Sequence, residues 1–420
     1  MNLQEWLAKI TERSSESKID LTLNRIQKSL KSLSLKRIDA VTIKVAGTNG
    51  KGSTCNALKQ IYADSGYKVA CYTSPHIFDF RERLTINNAV LSESDWIKAF
   101  ENIDEIAKIC ELTYFENITL AAFWLISQYE IDVAILEIGL GGRFDAVNSI
   151  PADIGIITSI GFDHTDFLGN DLKSIAFEKA GILSNNMTAI YCGDVENSTI
   201  ESVAADAECK LYTIKKDFTW NIVEGKYVYK DSDDVSLTTP KPNIHPDVAA
   251  GIIKTILYTA KYFYVTNESL TRNIINIKQI GRCQVIADKV PLLIDVSHNV
   301  PAVRYLVEFI QDKYPNKNIK LVFGCLATKD HKGIINACEV LNASWYVAPP
   351  NAAMPRNCYE LSFPDNLCVN YDKSITDAFL HAYVDAENND LIVVFGSFYV
   401  VAEALQALTH FKNKGIIGCH

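Results

Sequence analysis

Residues 45–54, with the sequence VAGTNGKGST, constrain the fold of this chain more than any other stretch. Residues 41–45 alternate in polarity as a strand does, and the segment from Cys55 to Ser65 has helical character. A strand, a glycine-rich turn and a helix in this order aim backbone N–H groups and a helix N-terminus at a phosphate. Lys51 is placed to reach the outer phosphates, and a hydroxyl that follows it to bind magnesium. The stretch therefore predicts a phosphate loop that binds a nucleotide.

The match to the standard phosphate loop is imperfect at two positions. Val45 stands where that pattern has a glycine, and Gly52 stands where it has Ser or Thr directly after the lysine. A chance glycine turn would explain Gly47 and Gly50. It would not explain why Lys51 and two hydroxyl-bearing residues follow at a helix start, so phosphate binding is the favoured interpretation.

Length and composition narrow the class of protein. A chain of 420 residues is expected to form more than one domain. Its net charge of −9 argues against a nucleic-acid-binding protein, which usually carries a basic surface. The eleven cysteines include no C-x-x-C pair, which favours reduced thiols in the cytoplasm. Neither a signal peptide nor a bilayer-length apolar run is apparent, so we expect a cytoplasmic protein that binds no nucleic acid and no membrane.

The first part of the chain alternates between strand-like and helix-like segments. Its strands are nearly continuous apolar runs, which predicts a parallel sheet covered on both faces. Residues 1–38 predict helices with polar faces, residues 210–240 an antiparallel excursion, and Pro246 to Phe263 a helix. The predicted strands after the one at 41–45 cover 68–72, 132–138, 153–158 and 188–192. We expect these elements to form an α/β domain over 1–280.

A second, smaller α/β unit is predicted over 285–420. It follows Gly281-Arg282, and a helix is expected from Val303 to Tyr314. Its predicted strands cover 292–295, 319–323, 344–347 and 391–395.

Four polar residues of the first domain follow predicted strands or helices where chemistry is expected. Ligands bind beyond the carboxyl ends of the strands in an open parallel sheet. Ser74 is either a magnesium ligand or a turn hydroxyl, and Glu137 either a metal-binding acid or a salt-bridge partner. His164 is either a metal ligand or a structural histidine, and Lys179 as a helix-terminal lysine complements the helix dipole. One carboxylate, one hydroxyl and a phosphate loop suit a magnesium–ATP site.

Together these segments resemble the folylpolyglutamate synthase/dihydrofolate synthase family, a branch of the Mur ligase group of ATP-dependent amide-forming enzymes. The resemblance extends over almost the whole chain and implies a Mur-ligase-like α/β fold, with a phosphate-loop, parallel-sheet ATPase domain followed by a smaller Rossmann-like α/β domain. The motifs that carry it lie at 19–21, 45–54, 73–76, 80–83, 113–116, 136–148, 163–166, 178–181, 281–282, 295–299, 323–330 and 396–398.

The resemblance also implies roles for individual residues. Domain 1–280 would bind ATP and the folate or pterin, and domain 285–420 would be the glutamate-ligase domain. The residues implied to contact ATP are Thr48, Asn49, Gly50, Lys51, Gly52, Ser53, Asp247, Arg282 and Asp295. Those implied to bind magnesium, as a pair of ions, are Ser74, Glu137 and His164. Those implied to be catalytic are Lys51, His164 and Lys179, the last carrying a carbamate derived from carbon dioxide. Those implied to contact the pterin-bearing substrate are Asp20, Leu21, Thr113, Tyr114, Phe115, Glu116, Phe144, Asp145 and Ala146.

Two positions depart from the family pattern. Asp247 stands where the family often has Asn, and a carboxylate accepts hydrogen bonds but does not donate them. In the second domain Val300 follows Asn299 where the pattern has proline, and Pro301 comes one residue later. Both changes are expected to alter nucleotide affinity rather than abolish activity.

The resemblance implies that the protein is a monomeric ligase adding L-glutamate to dihydropteroate and to reduced folates through an acyl phosphate. The strings at 113–116 and 141–145 are similar to those of bifunctional bacterial members that also use dihydropteroate. The alternatives are a monofunctional folylpolyglutamate synthase, a Mur-type ligase of another acceptor, and a non-catalytic ATP-binding regulator.

Overall fold

The computed structural model describes residues 1–15, 18–232, 234–277, 279–352, 354–365 and 367–413. The chain divides into two compact units, Met1–Ile277 and Lys278–His420. Each unit is built from a β-sheet and helices, so the predicted α/β class is confirmed. None of the helices in the described part of the chain combines the length and the apolarity that a membrane span requires.

The first unit alternates strands and helices in the order that the sequence predicts. Its helices are α1 Leu3–Arg13, α2 Asn24–Ser32, α3 Lys51–Asp64, α4 Glu93–Ile109, α5 Tyr114–Ile126, α6 Thr165–Leu168, α7 Leu172–Ala180, α8 Asn197–Asp206, α9 Pro246–Thr259 and α10 Asn267–Asn276. Its strands are β1 Val41–Ala46, β2 Val69–Tyr72, β3 Leu84–Ile86, β4 Ala89–Val90, β5 Val133–Glu137, β6 Ile154–Ile157, β7 Thr188–Tyr191, β8 Lys210–Thr213, β9 Phe218–Val223, β10 Lys226–Asp231 and β11 Ser236–Thr239. Short 3-10 helices cover Phe80–Arg83 and Ala146–Ser149.

Strands β1 to β8 form one sheet in the order β4-β3-β2-β5-β1-β6-β7-β8. The six strands from β2 to β8 in that order run parallel, and β3 and β4 add an antiparallel edge. The strands β1, β2, β5, β6 and β7 are buried almost throughout because helices cover both faces. The parallel sheet predicted from continuous apolar runs is confirmed.

The predicted antiparallel excursion is correct for only part of its length. Strands β9, β10 and β11 form a separate three-stranded antiparallel sheet. Strand β8 instead pairs in parallel with β7 and extends the main sheet, so the prediction for 210–213 is wrong. As the edge strand, β8 is only partly buried, and its side chains therefore lack the apolar run that marks the inner strands.

The second unit contains a six-stranded sheet in the order β12-β13-β17-β14-β15-β16. Its strands run in parallel except β12, which is antiparallel to β13. The strands are β12 Gln284–Ile286, β13 Leu292–Ile294, β14 Asn318–Phe323, β15 Ser344–Val347, β16 Val369–Tyr371 and β17 Asp390–Phe395. The helices are α11 Val300–Lys313, α12 His331–Cys338, α13 Ile375–Val384 and α14 Phe398–Asn413, with 3-10 helices at Glu339–Leu341 and Cys358–Glu360.

Candidate active site

Four predicted site residues of the first unit, Lys51, Ser74, Glu137 and His164, lie at or beyond the carboxyl ends of four adjacent strands. Strand β1 lies between β5 and β6, although these follow it by about a hundred residues in the chain. The glycine-rich loop 47–50 leaves β1 at this point, where the strand order places β5 on one side and β6 on the other. Such a switch in strand order opens a crevice at the sheet edge, which is where ligands bind in open α/β sheets.

The loop conformation requires its two glycines. Gly47 has φ +142°, and a Cβ there would lie 1.9 Å from Oγ1 of Thr158. Gly50 has φ +86°, and its Cβ would lie 2.9 Å from a methyl group of Val248 at the start of α9. Helix α3 begins at Lys51, four residues before the predicted start, so Gly52 and Ser53 lie buried in its first turn. The first backbone N–H groups of a helix have no partner within the helix and are suited to bind an anion.

The loop is fixed to the segment that follows β6. Thr48 donates its backbone N–H to the Ser159 carbonyl at 2.8 Å, and its hydroxyl exchanges hydrogen bonds with Gly161 at 3.0 Å. Asn49 donates its N–H to the Ser159 hydroxyl at 3.0 Å, and its carbonyl accepts from the Thr158 hydroxyl at 2.6 Å. The loop is thus held by its neighbours before any ligand arrives.

Two lysines converge on the carbonyl of Gly47. Nζ of Lys51 and Nζ of Lys179 each lie 3.0 Å from that oxygen, and Lys51 also contacts the Thr48 carbonyl at 3.3 Å. Lys179 stands in the last turn of α7 but is buried, so it does not simply complement the helix dipole. Burial, together with the charge of Lys51, lowers the pKa of Lys179 to about 7. An amine with this pKa is substantially neutral near physiological pH.

Ser74 and Glu137 meet beyond two neighbouring strands. Glu137 is the last residue of β5, pairs in register with Val45 of β1, and is only 5% exposed. Its Oε2 accepts the backbone N–H of Ser74 at 3.1 Å. The structure therefore places two of the three predicted metal ligands together, beside the start of the phosphate loop.

His164 occupies a more exposed position. It precedes the short helix α6 with φ +50°, and its ring Nε2 lies 3.9 Å from Oδ2 of Asp163. Within the described residues, no group of three or more His, Cys, Asp or Glu side chains is arranged to hold a metal ion. Magnesium commonly binds to one or two protein groups and completes its shell with phosphates and water, so a partial ligand set suits this metal.

Arg25 joins two of the segments predicted to contact the pterin, residues 20–21 and residues 113–116. Its guanidinium donates to Oδ2 of Asp20 at 2.8 Å and to Oε2 of Glu116 at 3.0 Å. Glu116 also accepts the N–H of Thr113, which caps α5 in return. The second oxygen of Glu116, Oε1, is buried without a hydrogen-bond partner. Leu21, next to Asp20 in the chain, is half-buried. The sequence does not identify Arg25, because a single arginine outside any motif carries no functional signal.

The remaining predicted pterin contacts divide into exposed and buried residues. The ring of Phe115 packs so tightly against Gly139 that a Cβ there would lie 2.6 Å away. Phe144 is 44% exposed, whereas Asp145 and Ala146 are buried, as is Tyr114 at the start of α5. Both oxygens of Asp145 accept backbone N–H groups of its own loop. Phe144 is consequently the side chain of its segment that offers a free surface.

Asp247 lies in the first turn of α9, next to the helix residue that contacts the phosphate loop. Its Oδ1 accepts the indole N–H of Trp220 at 2.6 Å, and its Oδ2 lies 3.8 Å from Nδ1 of His245. Trp220 stacks on Tyr227, whose hydroxyl donates to the Pro246 carbonyl at 2.8 Å. The small antiparallel sheet therefore positions the start of α9, a role that no sequence motif indicates.

In the second unit, the segment that carries Arg282 is hydrogen-bonded to Asp295. The N–H of Cys283, which follows Arg282, donates to Oδ2 of Asp295 at 2.7 Å, and the N–H of Ser297 donates to Oδ1 at 2.8 Å. The guanidinium of Arg282 lies 5.2 Å from the ring centre of Phe398. Asp295 thus holds together the two loops that flank strands β12 and β13.

Comparison of the chain with known protein families identifies its class of enzyme. Residues 45–253 match the Mur ligase middle domain, and residues 281–398 match the glutamate ligase domain of Mur ligases. The fold and the phosphate-loop site therefore define a ligase of the Mur type, which is an ATP-dependent carbon–nitrogen ligase.

The relatives narrow the class further. The chain is 35% identical to the dihydrofolate synthase/folylpolyglutamate synthase of Buchnera aphidicola subsp. Acyrthosiphon pisum, over 96% of this chain and 98% of the relative. A structure of Escherichia coli FolC in complex with DHPP and ADP matches with a TM-score of 0.92 and 32% identity, covering 98% of each chain. A bifunctional folylpolyglutamate synthase/dihydrofolate synthase with Mn, AMPPNP and L-glutamate bound matches with a TM-score of 0.90, 32% identity, and coverage of 97% and 98%. The chain belongs to the dihydrofolate synthase/folylpolyglutamate synthase family.

Proposed function

We propose that this protein adds L-glutamate to dihydropteroate, giving dihydrofolate, and to reduced folates, extending their glutamate tails. The acceptor carboxylate attacks the γ-phosphate of ATP, which gives an acyl phosphate and ADP. The amine of glutamate then attacks the acyl carbon, an amide forms, and phosphate leaves. The observation that carries the proposal is the convergence of Lys51 and Lys179 on the phosphate-loop carbonyl of Gly47.

The residues around the loop suit a triphosphate and a divalent metal. The first turn of α3 presents backbone N–H groups, and Lys51 supplies a positive charge beside them. Ser74 and the buried carboxylate of Glu137 would hold magnesium, with His164 as a further ligand. When bound, the metal would neutralise charge that develops on the transferred phosphoryl group. Asn49, Ser53, Asp247, Arg282 and Asp295 stay predicted ATP contacts.

The environment of Lys179 fits a carbamate. Carbon dioxide adds to a neutral amine, and burial lowers the pKa of Lys179 to about 7. A carbamate would place an anionic group beside the Gly47 carbonyl of the phosphate loop. Lys179 therefore serves the site as a charge-reversed residue rather than as a phosphate-binding cation.

The acceptor would contact the segments joined by Arg25 and the loop that carries Phe144. Arg25 ties Asp20 to Glu116, and Phe115 packs on the glycine loop after β5, so these predicted contacts belong to segments that touch one another. The exposed ring of Phe144 offers a face for an aromatic ring system. We assign ATP and acceptor binding to residues 1–280 and the glutamate-ligase role to residues 285–420.

The decisive experiment measures glutamate-dependent ADP formation separately with dihydropteroate and with tetrahydrofolate. We expect ADP release with both acceptors and none without glutamate. Activity with tetrahydrofolate alone would identify a monofunctional folylpolyglutamate synthase. ADP release only with an unrelated carboxylate acceptor would identify another Mur-type ligase, and no release with any acceptor would favour a non-catalytic ATP-binding regulator.

We further propose a monomeric cytoplasmic enzyme that acts on small molecules. The cysteines in the described part of the chain are all free, and most are buried, which suits a reducing compartment. Analytical ultracentrifugation at assay concentration would measure the mass, and a stable dimer would contradict the monomer.

A further inference from the structure

The middle of strand β1 carries a buried lysine that the proposed chemistry does not use. Lys44 is 2% exposed and lies between Ile43 and Val45, whose side chains point to the opposite face of the sheet. Its Nζ donates to Oδ1 of Asn148 at 2.8 Å and lies 3.5 Å from the Asn148 carbonyl. A buried ammonium group is costly unless it is well paired, so this position calls for an explanation beyond packing.

Asn148, which accepts from Lys44, also donates hydrogen bonds to two other segments. Its Nδ2 donates to the carbonyl of Arg143 at 3.1 Å and to the carbonyl of Gly181 at 3.0 Å. Arg143 belongs to the loop that leads into the exposed Phe144, and Gly181 follows the helix end that carries Lys179. One amide side chain, oriented by Lys44, therefore links the acceptor loop to the segment that carries the reactive lysine.

Lys44 supports the same loop through Asp145. The buried carboxylate of Asp145 accepts the N–H of Leu140 at 2.8 Å and that of Val147 at 2.9 Å, which folds the glycine loop back on itself. Burial raises the pKa of Asp145 to about 6 and lowers that of Lys44 to about 7, and the attraction between these two groups opposes the shift of Lys44. The loop from 139 to 148 is thus held by the backbone hydrogen bonds of Asp145 and, at its end, by Asn148, which accepts from Lys44.

We propose that Lys44 is a positioning residue that holds the 139–148 loop against the end of α7, so that acceptor contacts and Lys179 keep a fixed separation. The catalytic consequence rests on the proposed function, because it assigns Phe144 and its neighbours to the acceptor. The alternative is that Lys44 contributes to folding stability alone.

Hydrogen exchange measured by mass spectrometry tests, without any substrate, whether Lys44 holds the 139–148 loop in place. Lys44→Met keeps the length of the side chain but removes its donor, and Asn148→Asp keeps an acceptor for Lys44 but loses the donor to both carbonyls. In each variant we expect exchange in peptide 139–148 to accelerate about tenfold, as the loss of a hydrogen bond to a charged group implies. The matched control is Lys254→Met, which removes an equally buried lysine that pairs with Asp231 instead.

Steady-state kinetics test the consequence for the reaction. We expect the KM for the pterin acceptor to rise about tenfold in Lys44→Met and Asn148→Asp, while the KM for ATP stays within about twofold, because the displaced loop faces the acceptor. Lys254→Met should lose thermal stability with neither KM changed. A role in stability alone would lower the melting temperature of Lys44→Met and leave both KM values intact.

The outcomes distinguish a failure of the positioning role of Lys44 from a failure of the proposed function. Unchanged exchange in peptide 139–148, or the same acceleration in Lys254→Met, overturns the positioning role. If Lys44→Met does not fold, Asn148→Asp at the half-exposed partner gives the same measurements. Inactivity of the unsubstituted protein with every pterin would refute the proposed function, and the exchange experiment would still decide whether Lys44 holds the loop.

Discussion

Lys51 and Lys179 donate hydrogen bonds to the same acceptor, the carbonyl oxygen of Gly47, with both Nζ···O distances at 3.0 Å. Burial, and secondly the charge of Lys51, lower the pKa of Lys179 to about 7. Lys179 can therefore become neutral, whereas Lys51, in the first turn of α3, is the lysine that we expect to contact phosphate. The first predictions follow from this division.

Replacing Lys51 should nearly abolish turnover and leave the fold intact. Lys51→Ala removes the cation beside the loop, and we expect kcat to fall by about 10² to 10³, as it does when one preorganised donor to the transition state is lost. The measurement is ATP-dependent incorporation of labelled glutamate. Lys59→Ala, in the same helix and away from the loop, is the control. Near-normal incorporation by Lys51→Ala would refute the phosphate-loop assignment.

Carbamylation of Lys179 should depend on pH in a defined direction. The pKa is lowered to about 7, so the protonated amine, which cannot add carbon dioxide, predominates below that pH. At fixed dissolved ¹³CO₂, the carbamate signal in ¹³C NMR should decline below about pH 7 by up to about a hundredfold per pH unit, because forming the carbamate from the protonated amine releases two protons. Lys179→Met should lack that signal. A signal of equal size at acidic and alkaline pH would contradict the prediction.

The sequence predicts the inner elements well because burial leaves a mark on composition. Strands β5 and β17 are fully buried, and their apolar runs were sufficient to locate them within one or two residues. The pattern fails at β8, because an edge strand is partly exposed and alternates like an antiparallel one. Periodicity reports which faces are covered, and it does not report the direction of the neighbouring strand.

The candidate site, too, could be predicted from the sequence only in part. Motifs locate Lys51, Ser74 and Glu137 because strand ends meet at one sheet edge. They do not show that Asp145 and Asp295 already accept backbone N–H groups, since such pairing depends on loop geometry. Each predicted contact stays a prediction at the residue level, and the structure adds that these two carboxylates also hold their loops in place.

Gly47→Ala should disrupt the phosphate loop through a steric clash. The added Cβ would lie 1.9 Å from Oγ1 of Thr158, and the residue would also keep φ at +142°. Gly66→Ala is the matched control, because Gly66 has φ +89° but no atom within 4 Å of its Cβ. Backbone strain alone costs about 1 to 3 kcal/mol, so the control should melt slightly earlier and keep ATP binding. Gly47→Ala should lose ATP binding in calorimetry, and retained binding would contradict the loop geometry.

The buried ion pair between Lys254 and Asp231 should matter for stability. Their side chains are 4% and 1% exposed, and Nζ lies 3.2 Å from Oδ2. Lys254→Met leaves the buried carboxylate without its cation, which is expected to cost about 3 to 5 kcal/mol and to lower the urea midpoint of the first unit. Lys68→Met breaks the exposed pair with Glu130 and should leave the midpoint unchanged. Equal midpoints for the two variants would show that the buried pair contributes nothing.

Asp247→Asn should tighten ATP binding. The carboxylate lies in the first turn of α9, whose next residue, Val248, contacts Gly50 of the phosphate loop. An asparagine still accepts the indole N–H of Trp220 but removes a negative charge near the triphosphate, an effect of about 1 kcal/mol at a partly exposed position, or roughly fivefold in KM. The advantage should shrink at high salt, because screening weakens the repulsion. Asp206→Asn, on the exposed end of α8, should change nothing. A higher KM for ATP in Asp247→Asn would mean that the carboxylate itself accepts a hydrogen bond from the nucleotide, and Trp220→Phe, which frees Oδ1, should then lower the KM.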